Sequence, residues 1–166
     1  MTATLSFVCT LGAFIIALLM SWRDVRTRQV LDRELACFAF LTALPLAMKL
    51  DVLASDTRTP LWAVQVMALG RTAGGALLLL AVALPARLVA GRELLGGGDV
   101  LFALAAGFML PVGASVPMVC LVFLLALPFS LVQALRRKRP GHLPFIPFLA
   151  ASAFMIRWLP FLTPSF

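Results

Sequence analysis

The chain has 166 residues, 62% of them hydrophobic and 13% charged, with a mean hydropathy of +1.03 and a net charge of +7. A water-soluble domain is nearer half apolar and a quarter charged, so the composition excludes an ordinary soluble enzyme and predicts an all-α, polytopic integral membrane protein, one domain over residues 1–166. Nucleic acid is not the partner that the basic surplus implies, because the chain lacks tyrosine and RNP-like strings and its arginines fall between apolar runs, where they orient a membrane protein.

Leu5–Trp22 is the first apolar run. No Lys or Arg precedes it, so it lacks the positive start of a cleaved signal peptide and reads as a retained span. Leu35–Leu50 is a short second span with Pro45 near its end. Thr59–Ala86 is interrupted only by Arg71, which places a third span at about Thr72–Val89. The preceding "PLWAVQVMALG" lies at the interface or extends that helix. Val100 to Leu135 contains no charge, and its 36 residues are too many for one crossing. The stretch "PVGASVP" (111–117) supplies a turn, giving a fourth span at about Leu95–Leu110 and a fifth at about Val116–Leu135. Leu143–Leu162, broken by prolines and carrying Arg157, is the sixth.

Sorting the basic residues by this alternation puts ten on one side: Arg23, Arg26, Arg28, Arg33, Arg87, Arg92 and the run Arg136–Arg139. Lys49, Arg58, Arg71 and Arg157 fall on the other. The ten-residue side is therefore cytoplasmic and both termini lie outside. Arg136–Arg139 reads as an orientation and lipid-headgroup patch. Cys9, Cys37 and Cys120 are isolated within apolar runs and read as small core hydrophobes, with no CxxC for zinc.

Of seven acidic residues, Asp51 and Asp56 sit in the external connection "KLDVLASDTRTP" and read as solvated. Asp24, Asp32, Glu34, Glu93 and Asp99 all fall on the cytoplasmic side. Asp24 stands at the exit of the first span and Asp99 at the entry of the fourth. An ionisable group at membrane depth costs about 2.5–3.5 kcal/mol on insertion scales and marks a functional candidate. The plainer alternatives are an ion pair of Asp24 with Arg23, Arg26 or Arg28, and a helix cap for Asp99. Three glycines, Gly96, Gly97 and Gly98, precede Asp99. They remove side-chain bulk, permit positive φ and let another backbone approach, which is more than a cap needs. Room for an extended peptide beside a carboxylate suits an intramembrane aspartyl protease. One ionised Asp takes a proton from water while a second, protonated, donates to the peptide carbonyl, so the two titrate as a pair. Such a dyad uses no cofactor and no metal. The single histidine, His142, follows "RRKRPG", and no HExxH, GxSxG or Cys/His constellation is present.

Three patterns, in order, carry a resemblance. Asp24, Arg26, Arg28 and Val30 in "WRDVRTRQVLDRE" match D-x-R-x-R-x-I-P-N; Gly96, Gly98 and Asp99 match G-x-G-D, with Glu93 like a preceding Glu; "LPFIPFLAA" (143–151) is similar to P-F-G-P-F-L-A. Together they resemble the type IV prepilin peptidases, GxGD membrane aspartyl proteases, across nearly the whole chain. The sequence departs at Leu31–Asp32 (Pro-Asn in the family), Leu101 (Lys) and Ile146 (Gly). The cytosolic loop with paired cysteines found in longer members is absent, so methyltransferase activity is not implied.

The resemblance implies that Asp24 and Asp99 form the catalytic dyad, with Gly96–Gly98 shaping the cleft. The implied partner is a prepilin-like precursor whose short basic leader is removed at the cytoplasmic boundary of the bacterial inner membrane. Asp32, Glu34 and Glu93 then attract that leader, or else cap helices and face solvent. Two other readings remain open. One is a membrane scaffold or transporter component in which Asp24 pairs with arginine and Asp99 caps a helix; the other is an inactive peptidase homologue, consistent with the departures at Leu31 and Leu101.

Overall fold

An apolar run satisfies its own backbone N–H and C=O groups only by coiling. In the computed structural model, which describes residues 2–27, 29–54, 61–90, 96–111, 113–135 and 144–162, every element is an α-helix. The six are α1 (Thr2–Thr27), α2 (Asp32–Ala54), α3 (Leu61–Ala90), α4 (Gly97–Gly107), α5 (Ser115–Leu135) and α6 (Ile146–Leu162).

Each apolar run in the sequence became one helix, but the bounds moved. Helix α1 continues past Trp22 to Thr27, so Asp24 is a helical residue and its direction is fixed by the helix. The stretch from Leu61 to Gly70 extends α3 rather than lying apart, and its 30 residues make about 45 Å of helix. Helix α4 is shorter than Leu95–Leu110: its 11 residues rise about 16 Å, half of a hydrocarbon core of about 30 Å. Helix α6 is not broken by prolines. Pro147 sits in its first turn, where the missing N–H is no loss.

The turn read from "PVGASVP" forms. Ala114 N–H donates to the Pro111 carbonyl at 3.0 Å, and Gly113 takes φ +80°, a left-handed conformation that glycine adopts freely.

The packing has a simple plan. Helices α1, α2, α3, α5 and α6 touch in that cyclic order, closing back on α1, and α4 packs inside against α2, α3, α5 and α6. Helix α1 is the ring member that α4 does not pack against among the described residues. Small residues allow the inner contacts. A Cβ on Gly75 would lie 2.6 Å from the Ser115 carbonyl oxygen, and one on Gly107 would overlap the Thr72 carbonyl. The α3–α4 and α3–α5 backbones therefore approach as closely as glycine allows. Phe38, Phe102, Leu79, Met118, Ile146 and Leu149 fill the interior with no exposed surface.

The outside is apolar too. Leu11, Ile15, Leu18 and Leu19 on α1, and Leu124, Leu127, Phe129 and Leu131 on α5, are all exposed. Soluble monomers rarely expose apolar faces of this extent. Two helical stretches, Thr4–Thr27 and Ser115–Val132, are long and apolar enough to cross a membrane. The cysteines divide on the same basis: Cys9 is buried, whereas Cys37 and Cys120 are exposed and not core residues. A thiol is apolar enough for either face of such a helix.

Candidate active site

Asp24 is buried because of the stripe it continues. Cys9, Ala13, Ala17 and Met20, spaced by four or three residues, are the buried residues of α1, and Asp24 follows at the next position. The residue is 8% exposed, and its Oδ2 accepts the main-chain N–H of Ile146 at 3.3 Å.

Asp99 is held on the central helix, α4. Gly96 is the N-cap of α4, with φ −74° and ψ 151°, and Asp99 is the third helical residue. The Asp99 N–H donates to the Gly96 carbonyl at 3.1 Å. In return the Gly96 N–H donates to Asp99 Oδ2 at 3.1 Å. This is the reach-back half of a capping box, so Asp99 does serve its own helix. One turn later Phe102 stacks on Phe38 of α2, with ring centroids 4.6 Å apart. Residues three apart share a helix face, so this stack turns the Asp99 side of α4 inward.

The carboxylates of Asp24 and Asp99 are near enough for their charges to interact. Their helices do not pack on one another.

The glycines act differently from their sequence reading. Among the described residues the positive-φ glycine is Gly113, and Gly96 is extended. Left-handed backbone is thus not what Gly96–Gly98 provide. Gly96 supplies an N–H to Asp99. A Cβ on Gly97 would meet nothing within 4 Å, and one on Gly98 would touch Val30 at an ordinary 3.5 Å. Position 97 is exposed. Val30 of the first pattern thereby meets Gly98 of the second.

The acidic residues assigned to the leader have structural duties. Asp32 and Glu34 lie in the first turn of α2, where carboxylates complement the helix dipole. Glu34 Oε1 pairs with Arg23 at 2.9 Å, tying α1 to α2. Glu34 Oε2 is buried without a hydrogen-bond partner. Glu93 and Arg28 lie outside the described residues. Leu101, in the place of the family Lys, is 53% exposed. Among the described residues, no three His, Cys, Asp or Glu side chains gather as a metal site requires.

Sequence reasoning did not find the Ile146 N–H. The donor is on the main chain, so no residue type marks it. The "LPFIPFLAA" segment was the available signal, since it opens the helix that brings this N–H to Asp24.

A family model describing the type IV leader peptidase family matches residues 11–131. The chain belongs to that family. It is thus a protease of the leader peptidase type, as the three patterns implied. The matched region of this leader peptidase homologue contains Asp24 and Asp99 but stops before 143–151. No curated protein and no solved structure matches the chain.

Proposed function

We propose that this leader peptidase family member is a membrane aspartyl endopeptidase that removes the short basic leader of a prepilin-like precursor, with Asp24 and Asp99 as the dyad. The observation that carries the reading is that two carboxylates 75 positions apart within the matched region lie near enough for their charges to interact. The ionised aspartate takes a proton from water as the hydroxide attacks the scissile carbonyl carbon. The protonated aspartate gives its proton to the carbonyl oxygen. Collapse of the gem-diol breaks the C–N bond, and a proton passes to the leaving amine. Limited solvent access strengthens each of these charge interactions. The open space at Gly97 suits an extended backbone beside Asp99.

In this reading the chain is a single peptidase domain of six membrane helices in a bacterial inner membrane, with both termini outside and the arginine-rich side cytoplasmic. The apolar outer faces of α1 and α5 support it. Short α4 reaches only part of the way across, which suits a central helix sheltered by the others. Asp32, Glu34 and Glu93 attract the leader. Glu34 is engaged by Arg23, so a leader cation competes with that arginine. Charge reversal at all three acids weakens cleavage of a basic-leader substrate; unchanged cleavage removes them from recognition.

The decisive experiment is co-expression with a prepilin-like precursor, reading the product N-terminus by mass spectrometry. Leader-free product with the wild type, and none with Asp24→Asn or Asp99→Asn at equal membrane levels, is expected. Uncleaved precursor with the wild type overturns the reading. One observation favours a second reading, a non-enzymatic scaffold: both aspartates accept helix N-terminal N–H groups. A scaffold keeps its function with either asparagine, because the amide oxygen still accepts.

A further inference from the structure

We infer that the main-chain N–H of Ile146 is a group that positions Asp24, and that the start of α6 is built to present it. The inference rests on Asp24 being one of the two reacting acids.

The first turn of a helix leaves N–H groups without partners inside the helix. Phe145, the residue before α6, has no polar side chain with which to cap it. From Ile146 onward the donors nonetheless have destinations. Pro147 has no N–H, and Phe148 N–H reaches back to the Phe145 carbonyl at 3.1 Å, as does Leu149 N–H. Ile146 N–H remains, in a residue with no exposed surface. It goes to Asp24 Oδ2 at 3.3 Å. An acid from another helix thus completes the α6 terminus, and α6 in turn fixes that acid.

The donor itself is braced. Phe145 packs on Phe123 with centroids 5.8 Å apart, and Phe148 packs on Phe129 at 5.2 Å. Both partners belong to α5, so two ring contacts flank the N–H and set where α6 begins. Catalysis by a carboxylate dyad depends on each carboxyl holding one orientation, and small misplacements cost rate far more than affinity. The Ile146 N–H is a positioning group, acting through Asp24.

Ile146→Pro removes this N–H alone from the backbone, because proline suits the first helical position. Ile146→Ala is the matched control, losing side-chain volume but keeping the donor, and Ile146→Gly restores the family residue. Purified full-length protein in detergent is assayed on a prepilin-like precursor. The proline variant should show kcat about tenfold or more below the alanine variant with KM within about twofold, the size expected for losing a hydrogen bond to a charged group. The glycine variant should retain the alanine variant's kcat. Equal kcat in the proline and alanine variants overturns the inference. Should the proline variant fail to accumulate, Phe123→Leu loosens the brace and should lower kcat at constant KM; an unchanged kcat again overturns it.

A second measurement separates this inference from the proposed activity. Thermal unfolding of Asp24→Ala, Ile146→Pro and the double variant forms a cycle. If Asp24 receives the N–H, the double variant loses less than the sum of the two single variants. Additive losses overturn the contact, whether or not the wild type cleaves anything. Coupled losses with no wild-type cleavage leave the contact standing and sink the protease reading instead.

Discussion

The rings of Phe38 and Phe102 lie face to face, their centroids 4.6 Å apart and their planes 8° from parallel. Both are wholly buried. The stack joins α2 to the central helix one turn after Asp99, so it is both core packing and the support of an acid. Phe102→Ala leaves a cavity there and should cost about 3 kcal/mol or more of stability. Phe102→Leu keeps most of the volume and should cost less, while lowering cleavage more than its stability loss explains. Thermal unfolding in micelles beside a cleavage assay checks both. A variant destabilised but fully active per folded molecule removes the stack from the support of Asp99.

Asp24 accepts the Ile146 N–H and, in the proposed dyad, also exchanges a proton; two substitutions separate these duties. Asn keeps an acceptor for the Ile146 N–H but has no carboxyl to exchange a proton. Asp24→Asn should insert and unfold like the wild type, with no cleavage. Ala leaves the buried N–H unpaired, which costs about 1–3 kcal/mol. Asp24→Ala should therefore be less stable than Asp24→Asn and equally inactive. Cleavage by Asp24→Asn would remove Asp24 from the dyad.

At Asp99 the same pair of changes should give a smaller difference in stability. The group left unpaired by Asp99→Ala is the Gly96 N–H, and Gly96 is exposed, so water replaces the lost acceptor. The loss should be about 1 kcal/mol, the usual size for a helix cap. Both variants should be inactive. Equal destabilisation by Asp24→Ala and Asp99→Ala would show that burial does not distinguish the two caps.

How much of this was legible beforehand follows from what each feature depends on. The six helices were readable because apolar runs and prolines are local. Asp24 and Asp99 were readable because charge at the edge of an apolar run is unusual in any context. The length of α4 was not: Gly107 and Pro111 both read as possible stops, and only the fold shows that the α-helix gives way at Gly107 to i→i−3 hydrogen bonds from Phe108, Met109 and Leu110. The Ile146 donor was hidden because every residue but proline has an N–H. Which one is orphaned and what meets it are tertiary facts. The Arg23–Glu34 pair was hidden for a related reason, since several arginines compete for that acid until α1 and α2 are folded together.

The glycines give the sharpest contrast between packing and function. Gly75 and Gly107 face carbonyl backbone that cannot move aside, whereas Gly97 faces nothing. Gly75→Ala and Gly107→Ala should each destabilise the bundle, by about 1–3 kcal/mol for an overpacked interior. Gly97→Ala meets no atom, and alanine is the better residue within a helix. It should be as stable as the wild type or slightly more so. Its cleavage tells what the open space is for. Reduced cleavage with intact stability, expressed mainly as a raised KM, is the outcome expected if precursor backbone lies against position 97. Unimpaired cleavage would place the precursor elsewhere, and the glycine run would then be left with the Gly96 N–H donated to the Asp99 carboxylate as its work.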